Sequence, residues 1–173
     1  MSPKETESKM AGRITKSEQQ LRPDPRFNDK VLAKFINCVM YAGKKAVAQR
    51  VVYTALDEIQ TRLDKEKPEG APETAIEVFR QAIDNVKPGV EVRSKRVGGA
   101  NYQVPMAVTN RRQQSLAFRW IITAARDDKG KPMYRRLARE LYDAARGEGK
   151  AMTTRGNTHR MAEANKAFAH FAW

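Results

Sequence analysis

Cysteine and histidine are scarce in this sequence. Cys38 is the only cysteine among 173 residues, and His159 and His170 are the only histidines. One thiol excludes an internal disulfide and a zinc site built from several cysteines, so we expect a reducing compartment and no metal. The chain also lacks an apolar run long enough to cross a bilayer. Its first residues lack the apolar core of a secretory signal and are too acidic for a typical mitochondrial presequence, so we expect a cytoplasmic protein.

Sequence motifs for catalysis are missing as well. There is no GxGxxG, and Gly149-Lys150 is followed by Ala151, which rules out a P-loop. Two histidines and one cysteine form no distinctive arrangement of nucleophile and base. We therefore expect no enzymatic activity and no cofactor.

Positive charge is abundant and unevenly distributed. The chain has 33 Lys and Arg against 20 Asp and Glu, a net charge of +13. The net charge is +2 over residues 1–30, zero over 31–92 and +11 over 93–173. A basic chain predicts a polyanionic partner, either a nucleic acid or an anionic membrane surface. Concentration of the charge in the last 81 residues favours one binding face over a generally soluble surface.

Apolar residues recur at helical spacing in six runs after residue 28. The first three runs are Val31, Leu32, Phe35, Ile36, Val39 and Met40; Ala48, Val52, Ala55, Leu56, Ile59 and Leu63; and Ile76, Phe79, Ile83 and Val86. The last three are Leu116, Trp120, Ile121 and Ala124; Met133, Leu137, Leu141 and Ala144; and Met161, Ala164, Phe168 and Phe171. Each run predicts one amphipathic helix. Cys38 lies next to the first run and is predicted to be an inert core thiol.

Between the third and fourth runs the period changes to two. Residues 90–108 alternate on both sides of Gly98-Gly99-Ala100-Asn101, which predicts a β-hairpin. We call this segment the β-arm. Residues 1–28 are polar and contain two prolines beyond Pro3, which predicts an N-terminal extension that is disordered when free. The predicted fold is therefore mainly α: a single six-helix domain over residues 29–173 with one protruding β-hairpin.

The helix boundaries carry their own signals. Asn28 or Asp29 can cap the first helix, and Gly43 is expected to end it. A second helix is expected to start near Lys44, and Pro72 suits the first turn of the third.

The β-arm has the composition of an RNA-binding element. Arg93, Lys95 and Arg96 lie beside a glycine tip, where Gly98 and Gly99 allow close approach of a backbone. Three cations in four residues of an edge ribbon are poorly explained by packing, although a solvated ribbon is the alternative. Tyr102 offers a face for stacking but is predicted to be a core residue.

Basic residues continue in the helices that follow. Arg111 and Arg112 open one helix, and Arg112, Arg119 and Arg126 are spaced to form a stripe opposite its apolar face, which favours phosphate contact. Arg155 and His159 share a face of the last helix. Arg135, Arg136 and Arg139 form a further cluster, which fits either a solvated surface or an interface. Trp120 and Trp173 are predicted to serve in packing.

Three segments resemble the small-subunit ribosomal protein seven family. The first runs from Asp29 through Phe35-Ile36 and Gly43-Lys44-Lys45 to Ala55, and the second is Val92–Pro105. The third is the end of the chain, His159–Trp173. The resemblance extends from about Leu21 to Trp173, with the motifs in the family's order.

The resemblance implies a six-helix domain with a β-arm, located in the ribosome. It implies binding of the 3′ major domain of small-subunit ribosomal RNA, nucleation of head assembly, and a β-arm near exit-site transfer RNA and messenger RNA. Small-subunit protein eleven is the implied neighbour. The implied RNA-binding residues, together with those noted above, are Lys34, Lys44, Lys45, Arg93, Lys95, Arg96, Gly98, Gly99, Arg111, Arg112, Arg119, Arg155, His159 and Arg160.

Two departures and one alternative accompany this interpretation. Residues 1–20 mix three glutamates with four cations, and Phe171-Ala172-Trp173 replaces a Tyr-Arg-Trp ending, so each end carries less positive charge than the resemblance suggests. The alternative is a helical regulator that binds duplex DNA, which would need a recognition helix and a dimer interface. An enzyme acting on RNA is the least favoured function.

Overall fold

A computed structural model of the chain describes residues 21–66 and 72–171. Compactness divides the chain into two units, Met1–Lys34 and Phe35–Trp173. The described elements are α1 (Lys30–Val39), α2 (Lys45–Glu66), α3 (Ala75–Val86), β1 (Val90–Val97), β2 (Ala100–Ala107), α4 (Asn110–Asp127), α5 (Met133–Ala145), α6 (Lys150–Ala164) and a final 3₁₀-helix (Lys166–Phe171). The predicted fold class, mainly α with one antiparallel hairpin, is confirmed. Most of the predicted extension, residues 1–20, lies outside the described residues.

Two aspartates of the first unit accept local backbone hydrogen bonds, Asp24 at a turn and Asp29 at the start of a helix. Asp24 is buried and its carboxylate accepts hydrogen bonds from the backbone N–H groups of Arg26 and Phe27 at 3.1 and 3.2 Å. The Asp29 carboxylate accepts from Val31 N–H at 2.6 Å and Leu32 N–H at 3.2 Å. Asp29, one of the two predicted caps, therefore begins α1.

The second unit has a core built around three phenylalanines. Phe35, Phe79 and Phe118 are fully buried, and the ring of Phe35 meets the other two edge-on, at centroid distances of 5.3 Å each. Helix α5 lies at the centre, packed against α2, α3, α4 and α6. Every residue of the predicted α2 stripe is buried. The sequence pattern missed Phe118, because it had assigned the neighbouring Trp120, which is half-buried, to the core.

Several predicted boundaries and environments were wrong. Helix α1 ends at Val39, before Gly43, and α3 begins at Ala75, with Thr74 as its N-cap, so Pro72 precedes the helix. Cys38 is exposed, because it faces away from the buried stripe of α1.

The last predicted stripe is also wrong. Helix α6 ends at Ala164 with Asn165 as its C-cap, so Phe168 and Phe171 belong to the 3₁₀-helix. Met161, inside α6, is 49% exposed. Within α6, the buried residues are Ala151 and Ala162.

The β-arm forms as predicted, with a tighter turn. Val97 pairs with Ala100, so Gly98 and Gly99 alone make the loop, with φ of +57° and +88°. Two consecutive positive φ values define a type I′ turn, which favours glycine and matches the twist of the strands. Pro105 pairs opposite Val92, and Val104 is fully buried at the base of the arm.

Side chains from neighbouring helices cap several helix ends in this unit. The Gln60 side chain of α2 accepts from Ala75 N–H at 2.9 Å, at the start of α3. The Asn85 side chain of α3 donates to the carbonyls of Ala144 and Ala145 at 3.0 and 2.8 Å, at the end of α5. These bonds satisfy backbone groups that a helix leaves without intrahelical partners.

Candidate nucleic-acid interface

The three cations of the β-arm do not form a single row. Alternation along β1 places Arg93 and Lys95 on one face of the ribbon and Arg96 on the other. Arg93 and Arg96 are exposed, while Lys95 is half-buried and its Nζ donates to the Phe171 carbonyl at 3.0 Å. The arm therefore presents positive charge on both faces.

A buried carboxylate lies under this charge. Glu91 on β1 is 7% exposed and forms ion pairs with Arg93 and with Arg112 of α4, whose Nε lies 3.0 Å from Glu91 Oε2. The sequence pattern along α4 showed no acid near Arg112. Glu91 supplies it from a different element, so part of the arginine charge is balanced inside the protein.

The predicted stripe of α4 divides into different environments. Arg111 and Arg119 are exposed, whereas Arg112 is half-buried in its ion pair. At the far end, Arg126 Nη2 donates to the Val39 carbonyl at 3.2 Å, which ties α4 to the end of α1. Arg119 is the middle member of the stripe and lies at the surface.

Two arginines of α5 make contacts within the protein. Arg136 Nη1 donates to the backbone carbonyls of Arg126 and Asp128, which joins the start of α5 to the end of α4. Arg139 pairs with Asp143 one turn later at 3.6 Å. Arg136 is therefore not simply solvated, because its guanidinium joins two helices, while Arg139 is exposed and forms a surface ion pair.

Helix α6 lines a groove that contains three of the predicted site residues. A cavity of about 420 Å³ is bordered by Gly147, Glu148, Gly149, Met152, Thr153, Arg155, Gly156, His159 and Arg160, and we call it the α6 groove. Arg155 Nε is buried and, among the described residues, has no hydrogen-bond partner. Arg160 donates to the Asn157 side chain at 2.9 Å and is otherwise exposed.

His159 connects the α6 groove to the β-arm. Its Nε2 accepts a hydrogen bond from Gly89 N–H at 3.2 Å, just before β1 begins. His159 therefore helps to hold the arm in addition to facing the groove.

A further basic region follows α1. Lys44 and Lys45 are exposed at the start of α2, after a turn in which Ala42 and Gly43 have φ of +50° and +73°. Tyr41 in the same turn is 82% exposed, a feature that helical periodicity could not reveal because Tyr41 lies beyond the end of α1 at Val39. Lys34 belongs to the first unit, where it is half-buried on α1.

Tyr102 belongs to an aromatic cluster on the β-arm. Tyr102 is half-buried on β2, and its ring lies 5.1 Å from Phe168 and 5.5 Å from Phe171. The cluster anchors the 3₁₀-helix to the arm at the edge of the fold, so the prediction that Tyr102 is a core residue is wrong.

A second group of ionisable side chains lies between α2 and α5. The Tyr142 hydroxyl donates to Glu66 at 2.6 Å, and Arg62 stacks over the Tyr142 ring at 4.3 Å. Hydrogen bonds from Arg62 and Tyr142 lower the pKa of Glu66, and the bond to Glu66 raises the pKa of Tyr142.

In the described part of the chain no group of three His, Cys, Asp or Glu side chains is placed to hold a metal ion. No helix of that part is long and apolar enough to span a membrane.

Comparison with known proteins agrees with the motifs. The profile of the family described as ribosomal protein S7p/S5e matches residues 11–166. Small ribosomal subunit protein uS7 of Rhodopirellula baltica is 60% identical over 162 residues, which cover 94% of this chain and 99% of the relative. Proteins of the same name from Mesorhizobium japonicum and Chelativorans are 50% and 49% identical over 164 residues, covering 95% of this chain and 100% of each relative. The chain belongs to the ribosomal protein S7p/S5e family.

Proposed function

We propose that this protein is a structural constituent of the small ribosomal subunit that binds the 3′ major domain of its ribosomal RNA and nucleates assembly of the head. Membership of a ribosomal protein family supports a structural role in the ribosome. The relatives are named as small-subunit proteins. No chemical step is part of this function: recognition rests on charge and shape.

The single observation that carries RNA binding is the α6 groove. Arg155 has a buried Nε–H with no acceptor among the described residues, and Arg160 and His159 line the same cavity. A buried donor without a partner costs free energy, and a phosphate oxygen would satisfy it. The groove also contains Gly147 and Gly156, whose lack of side chains leaves room for a backbone of RNA.

The β-arm is the second part of the proposed interface. The arm carries exposed cations on both faces and two glycines at its tip, which suits contact with more than one nucleic-acid strand. We propose that the arm lies near exit-site transfer RNA and messenger RNA, and that small-subunit protein eleven is a neighbour in the head. The cations proposed to contact RNA outside the arm and groove are Lys34, Lys44, Lys45, Arg111, Arg112 and Arg119.

Salt dependence of binding tests the arm. A variant with Arg93→Gln, Lys95→Gln and Arg96→Gln keeps much of the side-chain length and removes three charges. We expect it to bind a 3′ major domain fragment more weakly, with a log–log salt slope reduced by roughly 0.7–0.9 for each phosphate that the arm no longer neutralises. A matched control replaces the exposed cations Lys65, Lys129 and Lys131 by Gln, which removes the same charge outside the arm.

An unchanged salt slope in the arm variant would remove the arm from the interface. Competition by random duplex DNA with the same affinity as the ribosomal fragment would favour the DNA-binding alternative instead.

A photo-crosslinker at Ala100, next to the arm tip, tests the finer placement. We expect it to label transfer RNA or messenger RNA in programmed ribosomes, and labelling of neither would contradict that placement.

A further inference from the structure

Glu140 is a carboxylate buried between two helices. It lies on α5, is 8% exposed, and its Oε1 accepts a hydrogen bond from the backbone N–H of Ala151 at 2.8 Å. Ala151 belongs to the first turn of α6, whose N–H groups have no partners within the helix. Glu140 therefore caps α6 from a neighbouring helix, at a distance of eleven residues along the chain.

The residue that would ordinarily cap α6 has no side chain. Gly149 is the N-cap and has φ of +96°. A Cβ at this position would lie 3.0 Å from Glu140 Oε1 and 3.4 Å from Asp143 Cβ. The glycine thus gives the backbone its left-handed conformation and leaves the space that the Glu140 carboxylate occupies.

Helix α6 has fewer buried residues than α2, α3, α4 and α5, so its end contacts contribute a larger share of its stability. Its buried residues in the described structure are Ala151 and Ala162, and alanine buries little apolar area. The helix nevertheless carries Arg155, His159 and Arg160, which line the α6 groove. The turn at Gly147–Gly149 lines the other end of the same groove.

Burying the Glu140 carboxylate costs desolvation free energy, which its interactions with the start of α6 partly offset. Desolvation raises the pKa of Glu140, while hydrogen bonds from the Ala151 and Lys150 backbone and the charge of Lys150 act in the opposite direction. A carboxylate in this place interacts favourably with the positive end of α6. The Lys150 side chain also lies 4.0 Å from Asp128, so α6 is tied at its start to both α5 and α4.

We propose that Glu140 is a positioning residue for RNA binding: by capping α6 across the helix boundary, it holds Arg155 and Arg160 in the geometry that contacts phosphate. This inference rests on the proposed function. The cap also depends on Gly149, because its geometry requires a residue without a Cβ at this position.

The test compares three variants of the full-length protein. Glu140→Ala removes the cap, Glu140→Gln keeps an acceptor oxygen of the same shape, and Glu148→Ala removes an exposed carboxylate close by with the same change in net charge. We expect Glu140→Ala to speed hydrogen exchange of the Ala151 amide about tenfold, as loss of a cap of ~1.4 kcal/mol would. Core amides of α2 should keep their protection, and the other two variants should resemble the unmodified protein.

RNA binding provides a readout that a purely structural role would not change. In Glu140→Ala, the salt slope for the 3′ major domain fragment should fall by roughly 0.7–0.9 for each α6 arginine that no longer neutralises a phosphate. Glu140→Gln should restore the slope. Faster exchange at Ala151 with an unchanged salt slope would overturn the positioning role, and unchanged exchange would overturn the cap itself.

A double-mutant cycle tests the link between the two residues. Gly149→Ala should lower the melting temperature more in the unmodified protein than in the Glu140→Ala background, because the close approach to Oε1 is absent there. The cost of φ +96° is common to both backgrounds and cancels. Equal effects would exclude a steric coupling. If the unmodified protein failed to bind the fragment, the proposed function would fail, while the exchange experiment would still decide whether Glu140 caps α6.

Discussion

The Glu91 carboxylate accepts a hydrogen bond from Arg112 Nε at 3.0 Å and so joins the base of the β-arm to α4. The same carboxylate pairs with Arg93. One buried acid thus serves two arginines of the proposed interface. Glu91 therefore balances part of the charge of both arginines.

Neutralising Glu91 should release that charge. We expect Glu91→Gln to raise RNA affinity at low salt and to steepen the log–log salt slope by roughly 0.7–0.9 for each arginine that becomes available to neutralise a phosphate. Filter binding over a range of salt concentrations measures both quantities. Glu163→Gln is the matched control, because Glu163 is exposed on α6 and its replacement changes the net charge equally. Equal slopes for all three proteins would show that Glu91 does not limit the two arginines.

The turn of the β-arm should tolerate asparagine but not valine. Gly99 has φ of +88°, and left-handed backbone costs an ordinary residue roughly 1–2 kcal/mol, with β-branched residues at a further disadvantage. We expect Gly99→Val to speed amide exchange in β1 and β2 and Gly99→Asn to change it little. The melting temperature should hardly move, since the tip lies outside the core. Protected strand amides in Gly99→Val would contradict the turn type.

Removing one ring of the aromatic cluster should loosen the end of the chain. Phe168 packs on Tyr102 at 5.1 Å, and an aromatic pair contributes ~0.5–1.5 kcal/mol beyond its buried area. We expect Phe168→Ala to speed tryptic cleavage after Lys166 several-fold, by roughly 2–10 times on that energy scale. Tyr102→Phe retains the ring and should cleave at the original rate. Slow cleavage of Phe168→Ala would mean that the Lys95 bond to the Phe171 carbonyl is sufficient to hold the segment.

Stability should respond to pH through Glu140. Desolvation raises the pKa of Glu140 in the folded protein, and Asp143 of α5 raises it further, while Lys150 of α6 lowers it. Between the ordinary pKa of the unfolded chain and the raised pKa, the folded state binds more protons, so stability falls as pH rises through this window. We expect the unmodified protein to gain stability relative to Glu140→Gln as the pH falls toward the ordinary value. Denaturant titrations at several pH values measure this difference, and a constant difference would contradict the shift.

Cys38 should react readily in the native protein. It is exposed on α1, contrary to the sequence-based prediction of a core thiol. Ellman's reagent should therefore titrate one thiol without denaturant, at a rate close to that in guanidinium. Cys38→Ser provides the blank. Reaction only after unfolding would show that Cys38 is buried in the native protein.

The sequence alone was sufficient for features that depend on local patterning. The buried stripe of α2 follows from its helical spacing, and the β-arm follows from period-two alternation around Gly98 and Gly99, because hydrophobic burial and turn sterics act over a few residues. The same holds for Asp29, which caps its own helix. The basic second half of the chain, and with it the expectation of a polyanionic partner, also needed no structure.

Tertiary structure decided which charges are balanced and how the helix ends are satisfied. Glu91 is the partner of Arg112, Asn85 binds the end of α5, and Glu140 binds the start of α6. Each partner comes from a different element. No local pattern encodes such pairs, because long-range hydrogen bonds depend on how the helices pack. The failed final stripe has the same origin: Phe168 and Phe171 pack on Tyr102 of the β-arm, and that packing, more than helical spacing, determines where the chain turns after Ala164.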